Sequence, residues 1–314
     1  MSFAALLETL NSVIWSPALV FLCLAVGVYF TLTTLFLQVR CLPDMMRQIV
    51  SNKKSGSGVS SFESLMISLA GRVGVGNIAG VATAIAFGGP GAVFWMWAVA
   101  LLGSATSFIE CTLAQIYKEK DRDTGEYRGG PAYYIEKAYK HTRAGKFMLV
   151  YAVVFAVAMM LATSYFLPGI QANGVAAAMH NVWGTDVRIS AVVLGILLAV
   201  IIMGGVRRIA NFASLVVPLM AVVYILASIV IMFVNFDRID DVFSLIFRSA
   251  FDQEAMFSGM LGAAIMWGVK RGIYSNEAGQ GTGPQSAAAA EVSHPAKQGF
   301  VQAFAVYAGT LFVC

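Results

Sequence analysis

"GRVGVGNIAG", residues 71–80, sets four glycines, one arginine and one asparagine inside a run otherwise apolar enough to cross a membrane. The rest of the chain fixes the solvent. Of 314 residues, 58% are hydrophobic and only 12% charged, and the mean hydropathy is +0.74. Soluble domains carry about 25% charge, so the chain reads as an all-α integral membrane protein. Charge-free stretches cover residues 9–39, 73–109 (interrupted by "GGPG" at 88–91), 147–185, 189–206, 209–236, 255–269 and 298–314. A spanning helix needs roughly 20 apolar residues. About eight transmembrane helices are therefore expected, once the second run is split at Gly88–Gly91.

The first run has no basic stretch before it and no A-x-A site behind it, so it reads as a span rather than a cleaved leader. Cys23, Cys41, Cys111 and Cys314 show no paired spacing and read as apolar packing residues. Apart from "SNKKSGSG" at 51–58, a flexible connection by composition, no low-complexity segment is present. The last run stops at Cys314 in mid-helix without a polar flank, and a truncated chain is the expectation.

Loop charge gives the orientation. With the N-terminus outside, seventeen of the twenty-one Lys and Arg residues fall on one side: Arg40 to Lys54, the eight between Lys118 and Lys146, Arg207 and Arg208, then Lys270, Arg271 and Lys297. The other side holds Arg188, Arg238 and Arg248 among seven acids, which makes the basic side cytoplasmic. The net charge of +4 then reports topology, and no nucleic-acid partner is implied.

The helix carrying the opening stretch should start near Phe62, which puts Gly74 to Asn77 ~18 to 22 Å deep, near the bilayer middle. Each glycine there costs about 1 kcal/mol in helix propensity, and three within seven residues invite unwinding. Backbone freed at that depth is tolerable only where protein or a wet cavity satisfies it, which makes a broken helix a candidate ligand site. "GVGNIA" also matches a dinucleotide fingerprint, yet no strand precedes it and no acid follows about 20 residues on. The plainer alternative is a small-residue packing face formed by Gly71, Gly74 and Gly80.

A second glycine-punctuated segment weighs against plain packing. It is "SGMLGAAIMWGVKRGIYSNEAGQGTGPQSAAAA", residues 258–290. Two broken segments separated by several whole spans are the pattern of an inverted-repeat secondary transporter.

"GGPGAVFWMWAVALLG" at 88–103 resembles the signature of the alanine or glycine:cation symporters, the sodium:alanine carriers of bacteria. "SLAGRVGVGNIAGVATAI", "SFIECTLAQIYKEKD", "YRGGPAYYI" and "SNEAGQGTGP" follow the same family pattern in order. The signature usually has a larger aliphatic residue where Ala98 stands. The resemblance covers essentially the whole chain and implies a LeuT-type fold with two discontinuous helices. Residues 1–61 would be an extra helix and loop, 62–236 the first five-helix repeat, and 255–314 the start of an incomplete second repeat. Family members run longer, and the helices carrying the remaining ion ligands would lie in the missing part.

Carried over residue by residue, Gly74, Gly76 and Asn77 would meet the substrate carboxylate at a half-helix N-terminus, which suits an anion. Ala70 and Val73 would turn carbonyls to sodium, with Asn77 adding a side-chain oxygen. Met266, Trp267 and Gly268 would complete the pocket from the second broken helix; the alternative for the first two is lipid or core packing. Arg72, ~15 Å deep, is expected either to pair with Glu110 or to clamp a carboxylate. Glu110 resembles the acid that braces the broken helices, with Glu277 a gating candidate. Lys270, Arg271 and Glu277 should lie near the cytoplasmic end of the seventh helix, where snorkelling accounts for them. Gln171 and Asn173 would line a vestibule or simply meet water.

Catalysis has no support: His141, His180 and His294 fall in expected loops, and no H-E-x-x-H, G-x-S-x-G or Cys/His cluster occurs. The expected activity is sodium-coupled symport of L-alanine or glycine across the bacterial inner membrane, with protons as the other possible coupling ion. The alternatives are a passive channel or a proton-coupled carrier of another small amino acid. Oligomeric state and D-isomer acceptance stay open.

Overall fold

The computed structural model describes residues 3–50, 58–251 and 260–314. The chain opens with α1 (Phe3–Ile14) and α2 (Pro17–Thr33), kinked at Pro17, then α3 (Leu37–Arg40) and α4 (Leu42–Val50). Next come α5 (Ser61–Arg72), α6 (Val75–Gly88) and α7 (Gly91–Tyr117), a two-stranded hairpin of β1 (Glu119–Lys120) and β2 (Tyr127–Arg128), and α8 (Pro131–Tyr139). A π-helical turn, Ala162–Phe166, joins α9 (Gly145–Leu161) to α10 (Leu167–Trp183). The chain continues through α11 (Val187–Ile202), α12 (Gly205–Val234), α13 (Ile239–Phe251), α14 (Met260–Asn276), α15 (Thr282–Ala289), α16 (Pro295–Tyr307) and a π-helical stretch, Ala308–Val313. Residues 255–259, where the second repeat was expected to begin, and most of the 51–58 loop lie outside the described residues.

Among the described residues, five helices are long and apolar enough to cross a membrane: Glu8–Thr33, Ser61–Gly88, Gly91–Tyr117, Gly145–Trp183 and Gly205–Val234. Val187–Ile202 is a shorter apolar helix. The chain is thus a multi-pass, all-α membrane protein. Burial separates its parts. On α12 only Ala210, Ala213 and Val217 are buried, and on α11 only Ser190, while leucines, valines and isoleucines face outward along both. Apolar surface of that extent marks a face that packs against lipid or further helices.

Helix α7 is the opposite case. Its buried Gly91, Ala92, Ala100, Ser104, Ala105 and Ala114 let α14, α16 and α2 approach closely. Amphipathic α13 closes over its first turns through Phe94–Phe251 and Trp97–Phe243 ring contacts. The opposite end is tied by a bridge between Val59 and Ala290, and by Gln115 donating to the carbonyls of Ala287 and Ala290. Lys118 donates to the Ala290 carbonyl at 2.6 Å as well.

One expectation needs correction. The charge-free run ends at Val269, but the helix continues to Asn276, so Lys270 and Arg271 lie within α14 instead of at its end. Arg271 stacks 5.5 Å over the Trp267 ring, and Trp267 stacks on Phe87 beside Gly88. Both cations therefore lie toward the Gly88 end, away from the Val59–Ala290 tie. Stacking on aromatic faces lets a helix carry cations at this depth.

Candidate functional site

The first break is short. A capping box starts α5: Glu63 N donates to Ser60 Oγ at 3.2 Å, and Ser60 N donates to Glu63 Oε2 at 2.6 Å. The helix stops at Arg72, Val73 and Gly74 are extended, and α6 begins at Val75. The Val75 amide, orphaned by the new helix start, donates to Gln171 Oε1 of α10 at 3.0 Å. Glycine is needed here for space. A Cβ on Gly74 would lie 2.8 Å from Gln171 Oε1, and one on Gly76 would lie 2.5 Å from Tyr274 Cε1.

The second break spans residues 277–281, between α14 and α15. Glu277, Gly279 and Gly281 all have positive φ, at 53°, 81° and 90°. For the two glycines this is cheap; for Glu277 it is an unusual, locally held conformation. Side-chain hydrogen bonds help to hold the loop. Gly279 N donates to Glu110 Oε1 of α7 at 3.1 Å, Gln280 Nε2 donates to the Ile273 carbonyl at 2.9 Å, and Thr282 Oγ1 donates to Glu277 Oε2 at 2.5 Å.

Both breaks open onto one cavity of about 330 Å³. Ala70, Gly76 and Asn77 line it from the first, Tyr274 and Glu277 from the second, and Gln171 from α10. Asn77 is 2% exposed and donates through Nδ2 to the Gly309 carbonyl at 2.5 Å, which leaves Oδ1 as its remaining acceptor.

Arg72 is 1% exposed. Its Nη1 donates to the Gln302 carbonyl at 3.0 Å and its Nη2 to Ser107 Oγ at 3.4 Å. The expected direct pair with Glu110 does not form. Gly283 neighbours both, since a Cβ there would be 2.8 Å from Arg72 Nη2 and 3.9 Å from Glu110 Oε1. Glu110, 7% exposed, instead accepts from the Gly279 amide.

Met266, Trp267 and Gly268 do not line this cavity. Helix α14 runs unbroken through them to Asn276. Gly268 serves helix contact, since a Cβ there would lie 2.5 Å from Trp95 Cβ of α7. Val73 and Gly74 form the first break itself but do not line the cavity, and neither does Asn173, unlike Gln171.

A polar seam among α5, α15 and α16 escaped sequence reasoning. Ser64 Oγ donates to the Ser286 carbonyl at 2.8 Å, Gln302 Nε2 donates to Ser64 Oγ at 3.3 Å, and Ser68 bonds Ser286 through their hydroxyls. The available signal was the i, i+4 pair Gln298 and Gln302 in an otherwise apolar run.

A family model described as the sodium:alanine symporter family matches residues 1–314. The Bacillus subtilis protein YrbD, named as a sodium/proton-dependent alanine carrier, is 55% identical over 311 residues, covering 99% of this chain and 62% of its own length. GlnT of the same organism, named for sodium/glutamine symport, is 45% identical over 306 residues, 97% of this chain and 62% of that protein. The sodium/alanine symporter AgcS of Methanococcus maripaludis is 42% identical over 317 residues, 100% of this chain and 69% of that protein. The chain thus spans about three-fifths of the length of the first two relatives. With a match from end to end, the chain belongs to the sodium:alanine symporter family.

Proposed function

We propose that this protein is a secondary active transporter that carries a small amino acid, L-alanine or glycine, into the cell by symport with sodium or a proton. The observation behind this reading is the convergence of two helix breaks on one cavity. Two half-helices present amide ends to it and two present carbonyl ends, a set of partial charges that complements a zwitterion and a monovalent cation. In this reading the amides at Gly74 to Asn77 receive the substrate carboxylate. Ala70 and Val73 carbonyls with Asn77 Oδ1 receive sodium. Tyr274 and Glu277 take the second-break role first assigned to Met266, Trp267 and Gly268, because they line the cavity.

The arrangement is a LeuT-type inverted repeat, with residues 62–236 as one repeat and 255–314 opening the next. The N-terminus faces outside, in the inner membrane of a bacterium. Ion and amino acid each stabilise a closed state better in the other's presence, and their affinities are then reciprocally coupled. Membership in a symporter family leaves the passive-channel alternative unsupported.

Reconstitution of the full-length protein tests the proposal. Labelled alanine should accumulate in proteoliposomes only under an inward sodium or proton gradient, with glycine, D-alanine and glutamine as competitors. Equilibration without accumulation would refute symport.

A further inference from the structure

We propose that Glu277 is a shared cation site, at which its carboxylate balances the charge of the coupling sodium and a proton can take sodium's place. The inference rests on the symport reading and adds the group at which the two ions compete. Glu277 is 8% exposed, lines the cavity and is held by an unusual backbone turn. Its Oε2 accepts the Thr282 hydroxyl, and both carboxylate oxygens lie within 3.5 Å of the point where a Cβ on Gly71 would stand. They thereby border the last turn of α5, whose Ala70 and Gly71 line the same wall.

Acidic groups outnumber cations around it, so the charges do not cancel when both acids are ionised. Arg72 on α5 is the one cation among the described residues that faces Glu277, and it also faces Glu110 on α7. No carboxylate oxygen among the described residues lies within 4.0 Å of Arg72's guanidinium nitrogens. Tyr274, on Glu277's own helix, brings a neutral hydroxyl, and its neighbour Arg271 is stacked on Trp267 outside the cavity wall. From α15 and α10 the neighbours lining the cavity are the uncharged Thr282, Gln285 and Gln171. Two carboxylates therefore share one guanidinium. Uncompensated charge inside a membrane is costly, and a single monovalent cation restores neutrality. Sodium does so by accepting oxygen ligands, and a proton does so by converting the carboxylate to a neutral carboxyl group. Each adds one positive charge at the same oxygens, so binding of one excludes the other.

The test uses the full-length protein in proteoliposomes, with alanine uptake measured against sodium concentration across a pH series. In the wild type the half-saturating sodium concentration should rise on acidification, approaching about tenfold per pH unit where one proton competes for one site. Glu277→Gln should flatten that dependence, and Glu277→Asp should keep it. An unchanged slope in Glu277→Gln, or a flat wild-type slope, overturns the inference. A wild type with no ion-driven uptake at any pH would instead overturn the symport reading. If the variants fail to fold, sodium added to the wild-type protein in weakly buffered detergent should still release protons, read with a pH dye. No release across the series would equally overturn the inference.

Discussion

The two helix breaks border the same cavity, yet they are kept open by different forces. The first consists of two extended residues wedged by space, with Gly74 against Gln171 and Gly76 against Tyr274. The second takes five residues, three with positive φ, and is held by carboxylates, Glu110 on the Gly279 amide and Glu277 on Thr282. A break maintained by packing responds to side-chain volume; one maintained by carboxylates responds to charge. The second is therefore the break whose holding contacts carry charge.

Substitutions put this contrast to the test. The largest effect should come from Glu110→Ala, which strands the buried Gly279 amide and leaves Arg72 with one carboxylate fewer. An unsatisfied buried donor costs about 1–3 kcal/mol, and uptake should fall at least about tenfold, with a lower unfolding temperature in detergent. Glu110→Gln keeps an acceptor oxygen and should recover part of the stability. Equal stability of the two variants would mean that the hydrogen bond does not hold the loop.

Gly76→Val comes next. Its Cβ falls 2.5 Å from Tyr274 Cε1, and overpacking of this kind costs about 1–3 kcal/mol. Uptake should drop while helical content stays constant, and adding Tyr274→Ala should restore it partly, a coupling that a double-mutant cycle measures. Independent effects would show that ring and glycine do not compete for space.

Asn77→Ala should weaken alanine and sodium dependence together. The expected loss of one buried hydrogen bond is about 0.5–1.5 kcal/mol, or roughly three- to tenfold in each half-saturation constant. A change in only one of the constants would separate the two ligands. The smallest effect belongs to His294→Ala, remote from both breaks. His294 Nδ1 accepts from Ala296 N at 3.2 Å at the start of α16, and loss of such a cap costs about 1 kcal/mol of stability. The substrate constants should not move.

Much of the fold could be read from hydropathy, because the charge-free runs are long and lipid tolerates little else. The first break could be read as well, since Gly71, Gly74 and Gly76 crowd six residues of an apolar run. The second was located only to a segment. Composition marks where a helix can open, but contacts choose among the glycines. Gly268 and Gly272 serve close approach to α7, whereas Gly279 and Gly281 take positive φ. The seam of Ser64, Ser286 and Gln302 was hidden for a related reason, because its partners are more than 200 positions apart. Gln171 was visible as an amide in an apolar run, but nothing in spacing could say that it reaches the Val75 amide from another helix.

That Gln171 contact changes how occupancy of the first break should be reckoned. The α6 amide is not a bare socket, for a side-chain oxygen from α10 already fills it. Any anionic oxygen arriving there must evict this resident, so what it gains is only the margin between two acceptors. Cargo lacking a carboxylate has no such margin and would leave the resident in place, which makes a modest exchange at one nitrogen a filter against neutral look-alikes.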